Sequence, residues 1–352
     1  MKLFSGTASQ KLAEEVAKLL KLPQPNGRGI LTNASSELKS AEAENIYPSR
    51  RNLTLGKFRE GGLKLPLAEA EVVRFGNSEV KVTIKEKVKN QNCLVIQSSS
   101  NPTDTNLMEL FFFCDALKRQ EAKKVIAVVP YFGYAKQNIQ HRAGECISVN
   151  VVIRFIEAIG FDKIYTFDIH AEATGGVFSI PFKNLSAFPF LAEKLASYFN
   201  QAGINRKEIV LVSPDQGAVE KVRNFGRFFY QSENFSQVVI EKQRDQNIIH
   251  KARPLGLYGN VKDKITIIVD DMVVSGSTLI PAIDLCLEKG AKDVYAAVIH
   301  HDFTSDAPKK IQDSRLIKFF TTNTIALAER QRFEKLEEYS IAPIIAKELS
   351  NL

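Results

Sequence analysis

Two carboxylates stand side by side at Asp270 and Asp271, and four residues later comes the small, hydroxyl-rich run Ser275-Gly276-Ser277-Thr278. Paired carboxylates can hold a sugar diol or a hard divalent cation. A short polar loop that runs into a helix presents backbone N–H groups and the positive end of the helix dipole, which suit a phosphate. Asp168 with His170 at a strand end, Asp215 in a Ser-Pro-Asp-Gln-Gly turn, and Lys242 with Arg244 in a charged turn read on their own as ordinary structural residues. The elements around the acidic pair are legible. Ile265-Thr-Ile-Ile-Val269 reads as a strand buried on both faces that ends at the acids. A helix follows the loop, with Ser277 or Thr278 as its cap, Pro281 in its first turn and Gly290 at its end.

The chain has 352 residues, enough for two domains, with 44% hydrophobic and 25% charged residues. Its net charge is +7, but the basic residues are dispersed among acids, a pattern that suits small anionic substrates better than nucleic acid. No apolar run reaches membrane-spanning length and there is no signal-peptide pattern. Cys93, Cys114, Cys146 and Cys286 are scattered without a C-x-x-C spacing, as expected of thiols in a reducing cytoplasm. Asn33-Ala-Ser is then a chance sequon.

Strands and helices alternate along the chain, which predicts parallel sheets with right-handed crossovers. Residues 115–129 align without a gap on residues 284–298, each an amphipathic helix feeding a buried strand, so two similar α/β domains are expected. Residues 23 to about 68 are polar and rich in Gly, Pro, Ser and Asn, and read as an insertion outside the core. Phe75-Gly-Asn-Ser-Glu79 reads as a turn between strands, and Pro130-Tyr-Phe-Gly-Tyr-Ala-Lys-Gln-Asn138 as aromatics at a sheet edge. Asp168 and His170 share one face if their strand continues. Lys242 and Arg244 sit in a charged turn after a strand.

Val-Asp-Asp-Met-Val-Val-Ser-Gly-Ser-Thr resembles the ribose-phosphate loop of phosphoribosyltransferases and ribose-phosphate pyrophosphokinases (PRPP synthetases), whose usual form is Val-Asp-Asp-Met-Ile-Asp-Thr-Gly-Gly-Thr. Pro130-Tyr-Phe-Gly-Tyr-Ala-Lys-Gln-Asn138 resembles the pyrophosphokinase signature Pro-Tyr-Phe-Gly-Tyr-Ala-Arg-Gln-Asp. The opening Lys-Leu-Phe-Ser-Gly-Thr, the Asp-Ile-His-Ala run at 168–171, Val-Ser-Pro-Asp-x-Gly at 212–217 and the closing helix are also similar to that family, in its order. The resemblance implies two phosphoribosyltransferase-like α/β domains, residues 1–160 and 161–352, each a largely parallel sheet flanked by helices, with the final helix able to pack on the N-terminal domain.

It also implies transfer of the diphosphoryl group of ATP to the anomeric hydroxyl of ribose 5-phosphate, giving PRPP and AMP for nucleotide biosynthesis. Residue by residue, Lys242 and Arg244 match the family's catalytic loop. Phe75, Asn77, Glu79, Lys136, Gln137, Asn138 and His170 match ATP contacts. Asp215, Asp270, Asp271, Ser275, Gly276, Ser277 and Thr278 match the ribose 5-phosphate site, and His170 and Asp215 match ligands of Mg²⁺. The family implies a cytoplasmic homo-oligomer, dimer-based with a hexamer as its larger form. Asn77, Lys136, Asn138, Val274 and Ser277 depart from the family pattern. They keep open a non-catalytic homologue. A phosphoribosyltransferase, which consumes PRPP, is disfavoured by the duplicated domain.

Overall fold

The computed structural model describes residues 1–20, 65–244 and 252–350, without the side chains of 242–244 and 252–255. Fourteen strands and eight α-helices lie within these residues. The strands are β1 Lys2–Ser5, β2 Ala70–Arg74, β3 Val80–Ile84, β4 Asn92–Ile96, β5 Lys124–Val129, β6 Lys163–Phe167, β7 Phe182–Leu185, β8 Ile209–Ser213, β9 Gln237–Arg244, β10 Ala252–Tyr258, β11 Ile265–Val273, β12 Asp293–His301, β13 Lys318–Thr322 and β14 Leu336–Tyr339. The helices are α1 Gln10–Leu19, α2 Thr103–Arg119, α3 Ser148–Ile159, α4 Phe188–Gln201, α5 Val219–Tyr230, α6 Leu279–Glu288, α7 Ala307–Asp313 and α8 Ala342–Leu349.

Two sheets organise the chain. The first has the order β1-β4-β5-β6-β7, all parallel. The second contains β8-β11-β12-β13-β14 in the equivalent order, also parallel, with β9 and β10 added beside β8. Each half inserts an antiparallel hairpin between its first and second core strands, β2–β3 in one and β9–β10 in the other. The repeat seen between residues 115–129 and 284–298 is therefore α2–β5 set against α6–β12, at equivalent places in the two sheets.

Alternating residues explain how the sheets pack. Leu94, Ile96, Ile126 and Val128 share one apolar core with Ile265, Ile267, Val269, Tyr295 and Ala297 of the other sheet, and with side chains of α1, α4, α5 and α8. The intervening Cys93, Val95, Val125 and Ala127 face a second core under α2 and α3. Ile268, Val294, Ala296 and Val298 face a third core with α6 and α7. Burying each such Leu, Ile or Phe contributes about 1.5–3 kcal/mol. The inner faces of both sheets thus form one body, and their strand ends meet at a seam.

Two sequence expectations change here, the end of the insertion and the end of the strand at the aspartates, and sheet membership adds a second view of where the halves divide. A division at 160/161 would separate β6 and β7 from the sheet to which they are hydrogen-bonded, so by sheet membership the N-terminal half extends through Leu185. The closing helix α8 packs on α1. The expected insertion runs too far. Residues 21–64 lie outside the described residues, but Leu65 is 5% exposed, its N–H reaches the Leu20 carbonyl at 3.1 Å, and the Ala68 N–H reaches the Leu3 carbonyl at 2.7 Å. Leu65 and Ala68 belong to the core, and the partly buried Leu67 packs against it. Finally, β11 continues past both aspartates to Val273, because β12 is equally long and pairs with it as far as His301.

Candidate active site

Adjacent residues on a strand face opposite ways, and the two aspartates keep different company. Asp271 is 3% exposed. His170 Nδ1 lies 2.7 Å from its Oδ2, and Lys221 Nζ lies 3.1 Å from the same oxygen. Lys221 also donates to the His170 carbonyl at 3.3 Å. His170 follows β6 of the first sheet, whereas Asp271 belongs to β11 and Lys221 to the first turn of α5, so the cluster spans the seam. Burial pushes the Asp271 carboxyl upward, but the hydrogen bond from His170 and the charges of Lys221 and His170 outweigh it and hold the acid ionised, well below the usual carboxylate range. Asp270 goes the other way. Burial, reinforced by the neighbouring Asp271 and Asp215 carboxylates, raises it well above the ordinary value.

The ionised Asp271 makes His170 Nδ1 the hydrogen donor. The other ring nitrogen, Nε2, belongs to a side chain that is 37% exposed. This carboxylate–imidazole arrangement is how proteins orient a histidine toward a cation or a phosphate. The strand does not continue through Asp168, which has φ +36°. The Asp168 carboxylate turns inward instead and accepts from Ser186 Oγ and the Ala187 N–H, both at 2.7 Å, bracing the entry to α4. Burial moves Asp168 up to about 7 against these bonds.

Asp215 caps the turn into α5, with its Oδ1 accepting from the Ala218 N–H at 3.2 Å. The 274–278 loop ends at α6. Ser275 Oγ donates to Ser277 Oγ at 3.0 Å, and Gly276 has φ +76°, the left-handed region that glycine enters without strain. Thr278 stands at the N-cap but makes no side-chain cap bond, contrary to expectation. Neither hydroxyl caps the helix; the Ile280 N–H donates to the Gly276 carbonyl at 2.9 Å, the Ala282 N–H to the Thr278 carbonyl at 3.4 Å, and Pro281 has no N–H to satisfy. Val274, which stands where a third acid was expected by resemblance, packs against Tyr131, Met272 and Ile325.

The Pro130–Asn138 segment is clamped rather than merely packed. Tyr131 N–H donates to Ser98 Oγ at 3.2 Å, its carbonyl accepts from the Ser99 N–H at 3.0 Å, and Gly133 N–H donates to Ser99 Oγ at 2.7 Å. A Cβ at Gly133 would come within 2.4 Å of the Ser99 carbonyl oxygen, so only glycine fits. Gln137 receives the Ser148 hydroxyl at the start of α3, Asn138 is half-buried, and Lys136 is exposed. Phe75, Asn77 and Glu79 lie at the tip of the β2–β3 hairpin. That tip bonds inward: Phe75 N–H to Glu79 O at 2.8 Å, and Glu79 N–H to Asn77 Oδ1 at 3.2 Å. Phe75 is 46% exposed and is held by neither His170 nor the acids. Lys242 and Arg244 have backbone on β9, the strand beside β8, while their side chains lie outside the described residues.

The comparisons with known proteins agree with this geometry. The N-terminal domain of ribose phosphate pyrophosphokinase matches residues 1–160, and the phosphoribosyl synthetase-associated domain matches residues 210–351. The ribose-phosphate pyrophosphokinase of Clostridium perfringens is 35% identical over 308 residues, covering 87% of this chain and 93% of that one. The chain belongs to the ribose-phosphate pyrophosphokinase family. It is accordingly an enzyme of the diphosphotransferase class. The Fusobacterium nucleatum pyrophosphokinase is 33% identical over 307 residues, covering 87% of this chain and 94% of its own. The phosphoribosylpyrophosphate synthetase structure from Mycobacterium smegmatis superimposes with a TM-score of 0.79 at 27% identity, over 99% of this chain and 97% of that one.

Lys221 is the site residue that motif reading missed in this pyrophosphokinase. The available signal was a cation six residues after Asp215, one turn into the helix that the Ser-Pro-Asp turn begins.

Proposed function

We propose that this pyrophosphokinase joins ATP and ribose 5-phosphate at the seam between its two sheets. The observation that carries the reading is the His170–Asp271 bond across that seam, which ties a phosphate-facing imidazole from one half to the ribose-side acids of the other. Ribose 5-phosphate rests on the 274–278 loop, its phosphate on the N–H groups before α6 and its hydroxyls at Asp270. Asp271 serves that site indirectly through Oδ2, which both His170 and Lys221 engage. The Pro130–Asn138 segment and His170 face the triphosphate. The anomeric oxygen forms a bond to the β-phosphorus as the bond between that phosphorus and the AMP oxygen breaks, and AMP leaves. Positioning and neutralisation of charge carry most of the work in such a transfer.

Lys242 and Arg244 sit on the hairpin adjoining β8, the strand that leads to Asp215, and are assigned to the charge of the transferring group. His170 Nε2 and Asp215 suit Mg²⁺. Two protein ligands leave the remaining positions to phosphate oxygens and water, the usual arrangement for this ion. Bound there, Mg²⁺ supplies charge neutralisation on the phosphates. The exposed Phe75 hairpin is assigned to the nucleotide of a neighbouring copy. The exposed apolar side chains Met108 on α2 and Val151 and Phe155 on α3 are assigned to contact between copies of a homo-oligomer. All four cysteines are free and no described helix is long and apolar enough to cross a membrane, in keeping with a cytoplasmic enzyme. AMP release from ATP that depends on ribose 5-phosphate is the test. AMP formation without ribose 5-phosphate, or none with it, refutes the reading.

A further inference from the structure

No sequence motif singles out Asp302, yet it touches both halves of the molecule. It directly follows β12, so it belongs to the second sheet. Its Oδ2 accepts from the Tyr131 hydroxyl at 3.2 Å, and its Oδ1 accepts from the Asn101 N–H at 3.3 Å. Both donors belong to loops of the first sheet, and those two loops are already stitched together through Ser98 and Ser99. Burial, with the Asp302 charge beside it, pushes the Tyr131 phenol well above its ordinary value, so the phenol remains a donor.

The contact continues toward the other substrate. Two residues beyond Asp302, the Thr304 N–H donates to the Val274 carbonyl at 3.0 Å, at the first residue of the ribose-phosphate loop. Phe303 between them is 3% exposed and fixed in the core under α6 and α7. Val274 then packs back on the cluster that holds Tyr131 with Met272 and Ile325. Tyr131, Asp302, Thr304 and Val274 thus close a ring that includes one residue from the ATP-side segment and one from the ribose-phosphate loop. Neither loop can shift without straining this ring, because a packed, hydrogen-bonded unit moves between discrete arrangements rather than deforming freely.

We propose that Asp302 is a positioning residue that couples the two substrate sites, so that filling one tightens the other. The inference rests on the assignment of those two loops to ATP and ribose 5-phosphate. Calorimetry on the full chain with Mg²⁺ tests it. α,β-Methylene-ATP, which cannot release AMP, and ribose 5-phosphate are each titrated alone and in the presence of the other. Wild type should show mutual, reciprocal tightening of about five-fold or more.

Asp302→Ala should abolish most of that tightening while changing each separate affinity far less. Tyr131→Phe should give a partial loss. Asp302→Asn should retain most of it, because its amide oxygen can accept from Asn101 and its amide nitrogen can donate to the Tyr131 oxygen. If Asp302→Ala or Tyr131→Phe keeps the full wild-type tightening, the proposal is wrong. Equal weakening of both ligands with the tightening intact also overturns it, since that marks a purely structural role. Wild type that binds both ligands independently refutes the coupling alone, whereas wild type that binds neither refutes the site assignment as well.

Discussion

Replacing Lys221 by Met removes one ammonium from a buried carboxylate while preserving most of the side-chain volume. At 3.1 Å the Lys221–Asp271 attraction is about 5 kcal/mol gross at an effective dielectric of 20. Lys221 is 22% exposed and Asp271 4%, so solvent screens only part of this attraction, and desolvation of the two charges offsets another part. Breaking a buried pair from one side costs roughly 3–5 kcal/mol. Here His170 stays to partner Asp271, so the expected loss falls below that range, at about 2 kcal/mol. Arg223→Ala is the control. Its pair with Glu220 at 3.5 Å has both side chains more than half exposed, and exposed helix pairs contribute only about 0.3–0.5 kcal/mol. Urea unfolding at pH 7.5 measures both variants. If Lys221→Met is no less stable than Arg223→Ala, Lys221 does not neutralise Asp271 and the cluster has been misjudged.

Lys242→Ala and Arg244→Ala should slow turnover far more than they weaken ribose 5-phosphate binding, by comparison of kcat with calorimetric affinity. Replacing residues 25–64 with a short Gly/Ser link should leave cooperative unfolding intact, whereas Leu65→Ala should cost about 2–5 kcal/mol by denaturant titration. Val274→Asp puts a carboxylate against the Tyr131–Met272–Ile325 cluster, so it should destabilise the protein by about 1–3 kcal/mol in the same titration. Asp306, held at about 2 by its bonds to Lys310 and Thr304, stabilises the fold above the ordinary carboxylate pKa. The difference between wild type and Asp306→Asn should therefore be present at pH 6 and fade as pH falls toward 2.

Local chemistry was legible in the sequence, and long-range partnership was not. The order strand, acids, loop and helix at 265–290 could be read because each signal lies within a few residues of the next. The repeat at 115–129 and 284–298 revealed the duplicated sheets for the same reason. The union of His170, Lys221 and Asp271 could not be read, because the chain brings together residues 101 positions apart only through the packing of two sheets. The sequence showed Val274 only as a missing carboxylate. The structure shows the valine packed against the Tyr131–Met272–Ile325 cluster. The end of the insertion was misplaced although Leu63-Lys-Leu-Pro-Leu67 alternates apolar residues like a core segment. The polar composition before it masked that signal.

Phosphorus NMR of the reaction with ribose 5-phosphate carrying ¹⁸O at the anomeric hydroxyl tests the central claim most directly. The account predicts AMP without label, and PRPP with the label bridging carbon and the diphosphoryl group. ADP with a ribose bisphosphate, or label in AMP, would contradict it.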